Sequence, residues 1–261
     1  MTAFIAVLAF AVGGAVARGP LNSSSAGGAN PWVDQQVSFQ AGGVTVYGTF
    51  RHPSGHSAAV PAALIIAGSG PTDRNGNSNL VSGSIDTLQT VADWLSADGV
   101  ASLRYDKLGT GQTGLGAYAS NPASIGLVVY AQEAAAALTF LAKQPGVDRN
   151  KLAVFGHSEG GLFALLLASG KVDSTPPIHA LGLLEPLSIR YLDHITNGFD
   201  ASVAAAKQAG QLTPAHAANA RAVEAGAVES LRTSGTVQPN LPYGLSNLLS
   251  PSSARFLAQA D

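Results

Sequence analysis

The chain has 261 residues, of which 46% are hydrophobic, enough for one large domain or two small ones around a buried core. Only 11% are charged and the net charge is −2, which excludes a basic nucleic-acid face and an acidic tail and points to small-molecule partners. Cysteine is absent, so disulfides, thiolate metal sites and a cysteine nucleophile are excluded as well.

Residues 4–17 form an apolar run followed by Arg18, with Ala15-Val16-Ala17 as a small-residue cleavage pattern. The run is too short to span a bilayer comfortably. We read residues 1–17 as a signal peptide and expect export, with no stable membrane span. Residues 18–34, rich in Ser, Gly and Asn between Pro20 and Pro31, read as a flexible leader.

Residues 35–40 and 44–50 are β-rich and joined by Ala41-Gly42-Gly43, a hairpin signal. Residues 62–67 are continuously apolar, as in a central strand covered on both faces. They run into Gly68-Ser69-Gly70-Pro71-Thr72-Asp73-Arg74-Asn75-Gly76, a loop dense in turn formers. Asp86 is a candidate cap for a helix carrying Leu88, Val91, Ala92 and Leu95 at helical spacing, ended by Asp98-Gly99. A strand is expected over 100–105. A helix marked by Val128, Ala131, Ala135 and Leu138 follows, stopped by Pro145-Gly146. Next come a strand over 151–155, a helix over 162–168, and a strand over 178–184 closed by Glu185-Pro186. The hairpin followed by alternating strands and helices argues for an α/β fold, a mostly parallel sheet with helices on both faces.

After Pro186 the pattern turns alanine-rich and helical over 200–209 and 214–232, with Thr213 as N-cap and Pro214 in the first turn. We read 35–186 as the core and 187–261 as a helical lid over the carboxyl edge of the sheet. No internal repeat is visible.

Between the strand at 151–155 and the helix at 162–168 lies Gly156-His157-Ser158-Glu159-Gly160, a match to G-x-S-x-G. In strand–turn–helix context this motif lifts one serine out of the backbone at a sharp corner. Its glycines are there because a side chain would collide with neighbouring backbone. Ser158 is thereby placed at the start of a helix, where unpaired N–H groups meet developing negative charge.

With these residues the chain resembles the α/β-hydrolase superfamily, in particular its exported bacterial serine hydrolases and esterases. Three segments carry the resemblance: the elbow Gly156 to Gly161, the Gly-Ser-Gly-Pro-Thr-Asp-Arg loop from Gly68, and Arg104-Tyr-Asp-Lys-Leu-Gly-Thr-Gly111, similar to the family's Asp-x-x-Gly-x-Gly turn. The resemblance spans about residues 35–186. It implies a Ser158 nucleophile attacking an acyl carbon of a small-molecule substrate. It also implies an oxyanion hole from the N–H groups of Glu159 and Ser69; no cofactor is expected, and no metal, since no His/Asp/Glu spacing suggests a site. The Glu159 side chain carries no catalytic role in this reading. Asp106, Gly109 and Gly111 are implied to be structural, the carboxylate bracing the turn and the glycines packing it against the oxyanion loop. Asp73 and Arg74 either pair with each other, the reading adopted, or meet a polar substrate group.

The chain departs from the family in one respect. The family takes its histidine base from a loop after its last strand, and no further strand–helix units are visible after 187. His157, His179, His194 and His216 are poor candidates for a base. Glu185 stands where some members place their acid. The chain thus looks like the N-terminal part of a hydrolase, C-terminally incomplete, with activity impaired for want of a catalytic histidine. One alternative is a non-catalytic binding protein on a hydrolase fold. Another is a dinucleotide-binding domain: Gly109-Thr-Gly-Gln-Thr-Gly114 matches G-x-G-x-x-G, with Glu133 nearly at the distance of a ribose-binding acid. Asn121-Pro122 counts against it, because it interrupts the segment where the helix should begin.

Overall fold

A computed structural model describes residues 31–261 apart from 56–57, 80–81 and 173–174. The expected signal peptide and the leader up to residue 30 lie outside the described residues.

Chain order gives β1 (Trp32–Ala41), β2 (Val44–Pro53), β3 (Val60–Ile66), α1 (Thr87–Ala97), β4 (Ala101–Tyr105), α2 (Leu127–Ala142), β5 (Val147–His157), α3 (Glu159–Ala168) and β6 (Ala180–Leu184). Three helices close it: α4 (Tyr191–Gln208), α5 (Pro214–Ser234) and α6 (Ala254–Ala260). The six strands form one sheet in the order β1-β2-β4-β3-β5-β6. β1 pairs with β2, and β2 with β4, antiparallel. The pairs β3–β4, β3–β5 and β5–β6 are parallel.

The hairpin turns where expected, with Gly42 and Gly43 both at positive φ. β1 starts at Trp32, so the end of the expected leader is strand. The central strand β3 shows why a continuous apolar run is needed there. Leu64 and Ile66 face the main core, where α2 and α3 pack. Ile65 faces α1, against Leu88, Val91 and Ala92. With both faces covered, alternation would place polar groups in a core, at a cost no partner offsets.

Helix α1 begins at Thr87 as expected, but Asp86 does not cap it with its side chain. Its carboxylate instead accepts from Asn77 Nδ2 at 2.7 Å, tying the helix start to the loop after β3. Thr213 does cap α5, accepting from the His216 N–H.

The closing helices pack on the α2–α3 side through aromatic rings. Phe256 of α6 meets Tyr191 and Tyr130 edge-on, at 5.6 Å between centroids in each case, and Tyr130 lies 5.9 Å from Phe163 of α3. α4 starts nine residues before the expected 200, and its first residue, Tyr191, enters the main core. β6 is the edge strand, apolar yet exposed at Leu181 and Leu183. Among the described residues no helix is long and apolar enough to cross a membrane.

Candidate active site

Parallel strands β3, β4 and β5 end on one edge of the sheet, and three loops leave from it: 67–86 after β3, 106–126 after β4, and the corner at 158. Ser158 sits at that corner with φ 51° and ψ −119°, a backbone state that costs a residue with a side chain on the order of 1–3 kcal/mol. Contact explains how it is held. A Cβ on Gly156 would lie 2.3 Å from the Gly160 carbonyl oxygen, and one on Gly160 would lie 2.3 Å from that of Ile66. The Ser158 N–H donates to the Leu184 carbonyl and its own carbonyl accepts from the Gly161 N–H, both at 2.9 Å. The corner is thus tied to the ends of β3 and β6, and Ser158 stays half-buried at the head of α3. The first N–H groups of that helix, Glu159 foremost, have no partner within it.

The loop after β3 comes to the same place. A Cβ on Gly68 would lie 3.1 Å from His157 Nδ1 and 3.3 Å from Ser158 Cβ. Gly68 is buried and Ser69 exposed.

Asp106 joins this loop to the next. Its Oδ1 accepts from the Arg74 N–H at 2.8 Å, and its Oδ2 from Arg74 Nη2 at 2.6 Å and the Gln112 N–H at 2.8 Å. The expected bracing of the turn by Asp106 is therefore present. Gly111, at φ 49°, has to be glycine: a Cβ there would fall 2.2 Å from Asp106 Cγ. The expected Asp73–Arg74 pair does not form. Arg74 is buried against Asp106, and Asp73 Oδ1 accepts the N–H groups of Asn75 and Asn77 at 2.8 and 2.9 Å. A short acid next to its own turn satisfies local amides more cheaply than it reaches a neighbouring guanidinium.

The same loop answers the dinucleotide reading. Asp106 fills the space inside the glycine turn, two 3₁₀ turns at Gly116–Tyr118 and Pro122–Ser124 follow, and α2 starts only at Leu127. Among the described residues no α-helix begins directly on the glycines. Glu133 is 4% exposed, too buried to meet a ribose. Burial pushes its carboxyl up to about 8, against the opposing pull of the Lys107 charge and the Leu108 N–H.

No protein-family model and no curated protein matches the chain. Solved structures do. A hypothetical protein from Pseudomonas aeruginosa matches with TM-score 0.50 at 17% identity, over 89% of this chain and 67% of that one. A dienelactone hydrolase-like promiscuous phosphotriesterase from metagenomic libraries matches with TM-score 0.44 at 24% identity, over 60% of each chain. A bacterial heroin esterase matches with TM-score 0.46 at 18% identity, over 64% of this chain and 48% of that one. The chain therefore spans about three-fifths of the phosphotriesterase and half of the esterase. The mostly parallel sheet and the tight serine corner after β5 agree with the expectation from sequence.

The fold is that of the α/β-hydrolases.

In this α/β-hydrolase fold the histidines fall as follows. His179 donates its N–H to the Leu152 carbonyl, midway along β5 and just before β6 begins. That is six residues from Ser158 toward the far edge of the sheet, roughly 20 Å away at 3.3 Å per residue. His52, near the end of β2 antiparallel to β4, lies at that same far edge. His216 is exposed in the first turn of α5. His157 shares the corner with Ser158, and its Nδ1 packs on Gly68. Burial lowers its pKa, the Lys107 charge acting in the same direction and Glu185 against them. His194 lies one turn beyond Tyr191 on α4.

Two residues at the site escaped the sequence reading. Lys107 donates to the Gly68 carbonyl at 2.6 Å and to Glu159 Oε1 at 2.7 Å. Tyr191 donates to Glu159 Oε2 at 2.6 Å. The Glu159 side chain, given no catalytic role, is thus the centre of a buried pair. The signal for Lys107 was its place next to Asp106 at a strand end. Tyr191 lies in a helix whose first half had no clear pattern. A groove of about 590 Å³ runs along α2, lined in part by Phe39, Val128, Phe140 and Leu166. It includes neither Ser158 nor the Gly68 loop, so backbone geometry rather than cavity size marks the candidate site.

Proposed function

We propose that this chain is a serine hydrolase of the carboxylic ester type, acting on a small-molecule acyl substrate through an acyl-enzyme on Ser158. The single observation that carries the reading is the strained Ser158 corner packed against Gly68. Ser158 Oγ attacks the acyl carbon, the N–H groups of Glu159 and Ser69 take the oxyanion, and the bond from the acyl carbon to the leaving alcohol, thiol or amine breaks, the leaving group taking up the serine proton. Water then releases the acid. Esters, thioesters and amides all suit this chemistry.

Turnover by these residues alone is weak in this reading. His52 and His179 lie at the wrong edge of the sheet, and His157 packs on Gly68. Where no histidine acts as base, what remains is rate enhancement from binding and oxyanion stabilisation. The same placement supports a second reading, a binding protein on a hydrolase fold. The helices of residues 187–261 act as a lid, since Tyr191 reaches the corner. The apolar run at 4–17 supports export, tested by sequencing the mature N-terminus.

A fluorophosphonate probe separates the two readings. Labelling of the wild type, lost in Ser158→Ala, is expected along with slow hydrolysis of short p-nitrophenyl esters. Equal turnover in Ser158→Ala removes the nucleophile assignment; a wild type inert to the probe favours the binding protein.

A further inference from the structure

Four chain segments share one buried charge. Lys107 follows β4, Gly68 follows β3, Glu159 follows the corner serine, and Tyr191 opens α4. The Lys107 side chain is 4% exposed and its ammonium lies beneath the Tyr130 and Phe163 rings, at 5.8 and 5.9 Å from their centroids. It donates to the Gly68 carbonyl and to Glu159. Tyr191 donates to the other Glu159 oxygen and is also hydrogen-bonded to the Ser69 side chain. A desolvated ion pair of this kind contributes little net stability against an apolar alternative of similar volume. What it provides is direction. In a trans peptide the carbonyl and the next N–H point to opposite sides. Holding the Gly68 oxygen on Lys107 therefore fixes the Ser69 N–H on the side away from Lys107. Gly68 itself packs against Ser158 Cβ, so the peptide that Lys107 orients borders the serine.

We propose that Lys107, bridged by Glu159 to Tyr191, is a positioning residue that holds the Gly68–Ser69 peptide with its N–H turned toward the Ser158 hydroxyl. The second oxyanion donor is then set before substrate arrives, and the lid helix shares in setting it. The proposal rests on the reading of Ser158 as nucleophile. Lys107 touches no reacting atom.

The test uses the full chain. Lys107→Met strands the Glu159 carboxylate, so Lys107→Met/Glu159→Gln, which removes both charges and keeps a partner for Tyr191, guards against simple unfolding. With p-nitrophenyl acetate, kcat and the fluorophosphonate labelling rate should fall roughly 10²-fold in the double variant, as on loss of one oxyanion donor, with KM nearly unchanged. Tyr191→Phe should give a smaller loss of the same kind. Hydrogen exchange across residues 68–72 should quicken in the double variant. A folded double variant that labels at the wild-type rate overturns the proposal. So does unchanged exchange across 68–72, whether or not the wild type labels. Failure of the wild type to label, with faster exchange in the variant, removes the Ser158 reading and leaves the latch on the loop standing.

Discussion

Gly160 lies against the end of β3 so closely that a Cβ on it would stand 2.3 Å from the Ile66 carbonyl oxygen and 2.8 Å from that of Ala67. This contact wedges the serine corner between two strands. Neither partner is a flexible side-chain tip; both are backbone at the end of the central strand β3. Gly160→Ala should therefore lower stability by about 3 kcal/mol, at the upper end for overpacking, and relax the Ser158 backbone. Urea unfolding measures the first and probe labelling the second. A loss below about 0.5 kcal/mol would mean that the corner is not packed as described.

Asp106 holds two loops at once and is 2% exposed. Its removal leaves the Arg74 guanidinium buried with neutral partners, Gln36, Thr49 and Gln112. Breaking a buried pair by deleting one partner costs about 3–5 kcal/mol. Asp106→Ala should show that loss in urea and quicken proteolysis between β3 and α1. A variant within about 1 kcal/mol of wild type would show that the pair does not hold the loops.

Glu133 sets a pH dependence. The folded protein keeps its proton up to about pH 8, whereas an unfolded glutamate releases it near pH 4.3. Between those values the unfolded chain binds fewer protons than the folded one. Stability therefore falls as pH rises through this window, by at most about 1.4 kcal/mol per unit. Glu133→Gln removes the effect, so the variant should gain on the wild type steadily from about pH 5 to 8. Parallel stability curves for the two proteins would contradict the burial argument.

The cap on α5 tests whether the outer helices can be weakened without touching the corner. Thr213 accepts from the His216 N–H at 3.2 Å on the exposed side. Thr213→Ala should cost about 1 kcal/mol and leave Ser158 labelling unchanged. A fall in labelling equal to that of a corner variant would tie α5 directly to the site.

The sequence by itself determined the sheet and the corner, because both depend on short-range patterns. An apolar run such as 62–67, short and bounded by turn formers, suits a strand covered on two faces, and glycines at 156 and 160 around one serine suit a tight turn between a strand and a helix. The brace made by Asp106 and Gly111 was implied by the family resemblance, not by local spacing. Pairings across the chain were decided by tertiary structure alone. By sequence Arg74 was expected to pair with Asp73 beside it, but it pairs with Asp106 thirty-two positions on. Only packing β4 beside β3 shows that the distant one wins. The start of α4 at Tyr191 was hidden by Asn197-Gly198, which breaks a helical pattern locally but not when Leu192 and Phe199 are buried on either side. The convergence of Lys107, Glu159 and Tyr191 carries no sequence signal. A buried charge finds its partner by proximity in space, and that proximity exists only once four separate segments have been folded onto one edge of the sheet.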